Sequence, residues 1–259
     1  MPGRLHALGA TIPLDRPPSI APTLPGLHVP FNAYLLTEGS EAMLVDTGLA
    51  AVARPIMDQL ASLLAPGSPV SIFLTRAEYD TVGNVGAIAD AYRVVRMHTG
   101  GQTNPFDHFD WVRMTGERPM TVPEQIDRRK IGAEVELTPQ RRLTVLEAVV
   151  RNIASYWLFD PETRTLFTSD FLTHGVRSEP GGASVIDDPA DLPETEIVRA
   201  AATAKFWFLP MSSPGLLARR VKDIFTALEP EIVAPAYGSA LRGREVVERH
   251  LRAVLEVMP

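Results

Sequence analysis

Apolar runs that end in polar turns alternate along this chain with segments in which apolar residues recur at helical spacing. The apolar runs predict β-strands, which cover 5–12, 31–36, 42–46, 70–74, 93–98, 143–150, 156–159, 164–169 and 231–234. The helical spacing predicts helices over 51–64, 84–92, 194–208, 214–228 and 244–257. Because strands and helices alternate in two rough halves, we expect one α/β domain over residues 1–259, with two mixed β-sheets covered by helices.

Three segments rich in glycine and proline separate these predicted elements. Residues 13–30 are proline-rich and predict an extended, irregular loop, with His28 near its end. Residues 99–140 and 175–193 also lack a regular pattern. Long loops inside a compact domain are often functional, so we expect the second and third segments to form the walls of a cleft.

Composition narrows the class of protein further. The 259 residues are 45% hydrophobic and 22% charged, which is typical of a globular chain. The net charge of -6 argues against nucleic-acid binding, and the absence of cysteine excludes disulfides, thiolate metal sites and iron–sulfur clusters. We find no signal-peptide pattern and no apolar run long enough to span a membrane, so we expect a cytoplasmic protein with no membrane partner.

One stretch, 73–87, reads as the centre of a site. It begins in a buried strand and turns polar, with Arg76, Glu78 and Asp80 at alternate positions before Gly83. Many α/β folds carry their site at the carboxyl end of a strand in this way. The alternative interpretation is a solvated loop between a strand and a helix that carries charges without a function.

The order of the strand-end motifs resembles the metallo-β-lactamase fold. The motifs are Asp-Thr-Gly at 46–48, T-x-x-x-x-D-x-x-G at 75–83, Leu-Phe-Thr-Ser-Asp at 166–170 and Val-Ala-Pro-Ala-Tyr-Gly at 233–238. The resemblance implies an αββα sandwich. Glu78 and Asp80 match the glutamate and aspartate of H-x-E-x-D, the first motif of the flavodiiron and oxygen-binding di-iron branch, and Asp170 matches the aspartate that bridges two metals in the fold.

The chain departs from that branch at every position where the branch has an imidazole ligand. The residues found there are Arg76, Thr81, Arg151 and Tyr237, with Arg151 placed by counting back from Trp157. Arginine carries no lone pair and cannot bind a metal. Two arginines (+2) among three carboxylates (-3) would sum to -1. We therefore expect guanidinium groups to replace the metals.

The expected function is binding of a small polar or anionic ligand, or of a partner, in the former active-site cleft. The predicted ligand-binding residues are Arg76, Glu78, Asp80, Thr81, Arg151 and His174. No metal cofactor is expected. By analogy with flavodiiron relatives, a homodimer is expected.

The alternative interpretation is an enzyme. One form is a hydrolase or di-iron-type oxidoreductase with one or two Fe, Zn or Mn ions on Glu78, Asp80 and Asp170. The other is a metal-free catalyst in which Tyr237 is the general acid–base and Asp170 takes part. His28, His174 and His108 are further metal-ligand candidates, for which a supporting or surface role is the simpler interpretation.

Overall fold

Two β-sheets pack face to face in the computed structural model, which describes residues 4–99, 126–151 and 153–258. The strands are β1 (Arg4–Pro13), β2 (His28–Glu38), β3 (Glu41–Val45), β4 (Pro69–Leu74), β5 (Arg93–Thr99), β6 (Ile126–Arg128), β7 (Glu134–Thr138), β8 (Arg141–Glu147), β9 (Tyr156–Asp160), β10 (Thr165–Ser169), β11 (Val185–Ile186), β12 (Ile232–Pro235) and β13 (Ala240–Arg242). The helices are α1 (Ala53–Leu63), α2 (Tyr79–Val82), α3 (Val85–Ala91), α4 (Thr195–Lys205), α5 (Pro214–Leu228) and α6 (Arg244–Val257).

Both sheets are mixed. The first has the order β1-β2-β3-β4-β5-β6, in which β1 to β3 pair antiparallel and β3 to β6 pair parallel. The second has the order β11-β13-β12-β10-β9-β8-β7, with β10 parallel to β12 and β11 parallel to β13. Helical crossovers join β3 to β4, β4 to β5 and β10 to β12, because a tight turn cannot connect parallel neighbours.

Three apolar layers hold the elements together. Tyr34, Phe73 and Phe167 belong to the layer between the two sheets. A second layer joins the first sheet to α1 and α3, and a third joins the second sheet to α4, α5 and α6. The helices bury one stripe each, as Ile56 and Leu60 show on α1. The predicted αββα sandwich of two mixed sheets flanked by helices is thus confirmed.

The segment 99–140 is more regular than the sequence analysis predicted. It contains β6, β7 and the turn into β8, while residues 100–125, with His108, lie outside the described residues. In β7, Val135 and Leu137 are buried and alternate with exposed Glu134 and Glu136. This alternation of apolar and charged residues is typical of an edge strand, and the prediction overlooked it.

Other boundaries shift by small amounts. The strand predicted over 143–150 is β8, which begins at Arg141 and ends at Glu147, and the predicted loop 175–193 contains β11 and a short 3₁₀ turn.

In the described part of the chain, no helix has both the length and the apolar character needed to cross a bilayer.

Candidate functional site

The carboxyl ends of four strands from both sheets meet at one place. Asp46 follows β3, Arg76 lies just beyond β4, Asp170 follows β10 and Tyr237 lies just beyond β12. The hydroxyl of Thr75 contacts that of Ser169 at 2.9 Å, so the two sheets are hydrogen-bonded to each other here. The predicted motifs are therefore brought together at a single site, as expected when a site forms at the carboxyl ends of strands.

Arg76 is the centre of this site, and its side chain is fully buried. Its Nε lies 2.8 Å from Glu78 Oε2, its Nη2 contacts Asp80 Oδ2, and its Nη1 lies 2.6 Å from Ser169 Oγ. Asp170 Oδ2 is 3.9 Å from Nε. Three different nitrogens of one guanidinium thus each bind a different acceptor, in the fixed planar arrangement of donors that a guanidinium provides.

Lys205 supplies a second buried cation that the sequence analysis did not assign to the site. Its Nζ lies 2.5 Å from Glu78 Oε2 and 3.7 Å from Asp170 Oδ2, and its side chain is 4% exposed. We call Arg76, Lys205, Glu78, Asp80 and Asp170 the ionic cluster. A signal for Lys205 does exist in the sequence: it continues the buried row of Val198 and Ala201 along α4.

Arg151 lies in a different environment from the one predicted. Its Nη1 is 3.2 Å from Glu147 Oε1 and also donates to the carbonyl of Ala148. Its side chain is about one third exposed, and its ion pair among the described residues is with Glu147 and not with the carboxylates of the cluster. The position predicted for Arg151 is therefore taken by Lys205, because the chain after β8 turns Arg151 back toward its own strand. Its role in ligand binding stays a prediction.

The charges of the cluster nearly balance. Two cations and three carboxylates sum to -1 (+2 - 3). Burial raises the pKa values of Asp80 and Asp170, although Arg76 opposes the rise in both. Burial also acts to raise the pKa of Glu78, but Arg76 and Lys205 together hold it below its ordinary value. Burial disfavours the charged form of Arg76, but the surrounding carboxylates raise its pKa, so it remains a cation.

A second polar network, formed by Asp46, Thr75 and Ser169, lies next to the cluster. Asp46 accepts hydrogen bonds from the backbone N–H and the hydroxyl of Thr75, each at 2.8 Å. Burial raises the pKa of Asp46 to about 7, against the opposing charge of Arg76. Asp46 and Ser169 both have φ of 58°, a left-handed conformation that non-glycine residues adopt at a cost. The backbone is therefore strained on both sides of Arg76.

The remaining predicted site residues lie around this core. Thr81 is buried, and its hydroxyl lies 2.8 Å from the carbonyl oxygen of Arg76, so it holds the loop in shape. Tyr237 is buried, stacks on Phe31 with ring centroids 5.5 Å apart, and donates its hydroxyl to the carbonyl of Ile20 at 3.1 Å. Burial and the charge of Asp170 raise the pKa of Tyr237, so its phenol stays protonated.

His174 pairs with another histidine and has no direct contact with the cluster among the described contacts. Its Nε2 lies 2.9 Å from Nδ1 of His250 on α6, and the two rings stack. Burial lowers the pKa of His174 to about 3 and that of His250 to about 4. His28 opens β2, where its backbone pairs with Arg177.

The donor set does not fit a di-metal centre. Arg76 and Lys205 hold the carboxylates from within, and neither cation offers a lone pair while protonated. Within the described ranges, no three histidine, cysteine, aspartate or glutamate side chains are placed to hold a metal ion. Both carboxylate oxygens of Asp170 are buried without a hydrogen-bond donor among the described residues, but Lys205 Nζ and Arg76 Nε lie 3.7 Å and 3.9 Å from its Oδ2.

Comparison with known proteins identifies the family of the chain. The family model described as "ODP family beta lactamase" matches residues 29–238. The chain belongs to this family. No curated protein sequence matches it.

Solved structures with the same fold include several flavodiiron proteins. The rubredoxin oxygen:oxidoreductase of Desulfovibrio gigas superposes with a TM-score of 0.69 at 18% identity, over 97% of this chain and 59% of that one. A flavoprotein of Thermotoga maritima gives 0.65 at 14% identity, over 97% and 57%. The metal-soaked Flv1 flavodiiron core of Synechocystis sp. PCC6803 gives 0.59 at 18% identity, over 88% and 53%. This ODP-family chain therefore spans less than two thirds of those proteins, and the likeness concerns the fold.

Proposed function

We propose that this chain is a metal-independent member of the ODP beta-lactamase family, in which the ionic cluster replaces the metal centre and the former cleft binds a small polar ligand or a partner. One observation carries the proposal. The guanidinium of Arg76, fully buried, binds Glu78, Asp80 and Ser169 through three separate nitrogens. A group fixed in this way holds together the carboxylates that a metal would otherwise join.

The energetic argument favours a stable cluster without a metal. Without counter-charge, the buried Asp80 and Asp170 and the partly exposed Glu78 would repel one another and lose hydration, at a cost of several kcal/mol for each buried ion. Arg76 and Lys205 offset most of that charge from within the protein. Lys205 matters because it shares Glu78 with Arg76 and approaches Asp170, which Arg76 reaches only at 3.9 Å.

The class of ligand follows from charge and exposure. The cluster sums to -1, so it would repel an anion. Glu78 is its most exposed member, with 29% of its side chain accessible, whereas the other carboxylates are buried. We therefore favour a neutral or hydrogen-bond-donating polar ligand that contacts Glu78. An anionic ligand is the less favoured form, since it would have to use Arg151 outside the cluster.

A metal-dependent enzyme that uses Glu78, Asp80 and Asp170 is the competing function. It draws support from the three retained carboxylates and from neighbours whose names state an oxidoreductase or a flavodiiron protein. A homodimer, by analogy with flavodiiron relatives, and a cytoplasmic location, from the sequence pattern, belong to the proposal as expectations.

Metal analysis of protein purified without chelator or added metal tests the two functions against each other. We expect iron, zinc and manganese far below one ion per chain. Arg76→His combined with Lys205→Ala should then raise the affinity for Zn²⁺ or Mn²⁺, because the pair of changes adds an imidazole and removes both cations.

The matched control is Arg76→His combined with Arg151→Ala, which removes the same charge but leaves Lys205 in the cluster. It should bind metal more weakly than the first variant. Near-stoichiometric metal in the unmodified protein would refute the proposal. A gain of affinity in the control alone would show that Arg151 and not Lys205 is the second cation of the site.

A further inference from the structure

Three large apolar side chains are exposed where α4 passes into α5. Trp207 is 65% exposed, Met211 71% and Leu216 51%, and the first two exceed every other large apolar residue in the described part of the chain. The backbone beneath them is anchored, because Phe206 and Leu209 are buried in the layer between the second sheet and its helices. Large apolar groups that stay exposed so close together are typical of an interaction surface.

Arginines accompany these apolar side chains. Arg219 and Arg220 follow Leu216 by three and four positions on α5, so they lie on the same face of the helix. Arg220 binds Glu147 Oε2 at 2.5 Å and Arg151 binds Glu147 Oε1 at 3.2 Å, so the segment after β8 meets α5 at this place. The basic apolar patch is the name we give to six residues: Trp207, Met211, Leu216, Arg151, Arg219 and Arg220.

The basic apolar patch differs in charge from the rest of the molecule. Its three arginines and Glu147 sum to +2 (+3 - 1), whereas the chain as a whole carries -6. Residues 197–222, which include most of the patch, contain no aspartate or glutamate. The patch therefore combines exposed apolar groups with a positive charge on an acidic protein.

The turn that carries Trp207 borders the ionic cluster. Trp207 follows Lys205 by two residues, and Lys205 Nζ lies 2.5 Å from Glu78 Oε2. Phe206, which lies between them, lines one small cavity together with Asp170. Because Glu78 keeps 29% of its side chain accessible, a partner bound to the basic apolar patch would lie beside the most exposed carboxylate of the cluster.

Charge decides among the partners that could cover this patch. A second copy that used the same patch would place arginines opposite arginines, because the two halves of a two-fold interface are identical. An anionic bilayer would repel a molecule whose net charge is -6. A short acidic segment of another protein would meet the patch alone, where the charge is positive.

We infer that the basic apolar patch is a docking site for an acidic segment of another protein, in which carboxylates flank an aromatic or aliphatic side chain. The apolar side chain of the partner packs against Trp207 and Met211, and its carboxylates pair with Arg219 and Arg220, whose guanidinium groups can bind carboxylates bidentately. The inference rests on the proposed function and deepens it, because it names the class of partner that the former cleft receives.

A library of random peptides displayed on phage, selected against the unmodified protein, tests the inference. We expect the selected peptides to be rich in aspartate and glutamate and to carry tryptophan, phenylalanine or leucine. A synthetic peptide of the consensus sequence should bind about tenfold more weakly to Trp207→Ser combined with Met211→Ser, because a few anchor side chains carry most of the binding energy of an interface. Leu63→Ser is the matched control, since Leu63 is an exposed apolar residue on α1, and it should leave the affinity unchanged.

The charge of the patch is tested with the same peptide. Arg219→Glu should weaken its binding about tenfold and make the binding less dependent on salt. Arg54→Glu is the control, because it changes the net charge of the chain equally at an exposed position on α1 and should have little effect. All of these substituted side chains are exposed, so an unchanged midpoint of thermal unfolding verifies that the variants fold.

Selected peptides that are neutral or basic would overturn the inference, and so would equal affinity of the peptide for the Trp207 and Met211 double variant and for Leu63→Ser. Binding of the unmodified protein to phosphatidylglycerol vesicles, or a concentration-dependent dimer, would overturn it if the same double substitution abolished that association, because the patch would then face a bilayer or a second copy. Metal analysis decides the proposed function separately, since neither Trp207 nor Arg219 belongs to the ionic cluster.

Discussion

Glu78 is shared by two cations, and this sharing explains why Lys205 matters at the level of single residues. Arg76 binds it at 2.8 Å and Lys205 at 2.5 Å, and Lys205 also lies 3.7 Å from Asp170. If Lys205 were absent, the formal charge of the cluster would change from -1 to -2. A buried charge left without its partner is costly, whereas the net benefit of the intact pair is small.

Lys205→Met should therefore destabilise the protein by about 2–4 kcal/mol, less than the loss of a wholly buried pair because Glu78 is partly exposed. Urea unfolding at pH 7 measures the change. Lys222→Met on the exposed face of α5 is the control and should change the free energy of unfolding by less than about 0.5 kcal/mol.

Adding Asp170→Asn to Lys205→Met should recover part of the lost stability, because it restores the formal charge to -1. The recovery would distinguish loss of charge balance from loss of packing by the lysine chain. An additive double variant, with no recovery, would contradict the electrostatic account of the cluster.

Between elements, the stacked pair of His174 and His250 joins the segment after β10 to α6. Their pKa values are lowered to about 3 and about 4 by burial, so both are neutral in the folded protein at pH 5. In the unfolded chain they titrate near 6.5. Between about pH 4 and 6.5 the unfolded state binds more protons at these two residues, so the stability they confer is lost as the pH falls.

His174→Gln combined with His250→Gln should make the free energy of unfolding depend less steeply on pH between about pH 4 and 6.5. The pair contributes a slope of up to about 2.7 kcal/mol per pH unit, which is two protons' worth. Asp46, with its pKa raised to about 7, acts in the opposite direction over the same range, because its protonated form favours the folded state. Urea unfolding between pH 4.5 and 6.5 measures the slope, and an unchanged slope in the double variant would contradict the assignment.

A comparison of the predicted and observed helices and strands shows which sequence patterns were sufficient to locate an element. The predicted helices 214–228 and 244–257 match α5 and α6 exactly in extent, since Pro214 and Gly243 mark their starts and the apolar spacing is regular. The charged alternation of β7 went unrecognised because the surrounding prolines suggested a loop. Local patterns thus located most elements, but the proline-rich composition around β7 obscured its pattern.

At the scale of the whole molecule, the fold could be predicted because the strand-end motifs keep their order along the chain. The composition of the ionic cluster could only be predicted in part. Glu78 and Lys205 are 127 residues apart, and no local pattern states that they meet. Arg151 was placed by counting along a strand, which fixes a position in the chain but not the turn that follows it.

Removal of divalent metals should leave the whole protein unaffected if the cluster holds the site together. We expect dialysis against EDTA to shift the midpoint of thermal unfolding by less than about 1 °C, because no binding energy is withdrawn from the folded state. A fall of several degrees that added Zn²⁺ or Mn²⁺ reverses would contradict the proposed function.

Under the proposed function, the sharing of Glu78 also constrains how a metal centre and an ionic cluster interconvert. An exchange between metal and ionic cluster requires changes at two places, residue 76 in the loop after β4 and residue 205 at the end of α4. A chain with only one of the two cations carries a site of charge -2 (+1 - 3), which is less stable without metal and is already occupied by a cation that opposes metal binding. Under the proposed function, each state is therefore separated from the other by an unfavourable intermediate with a single cation.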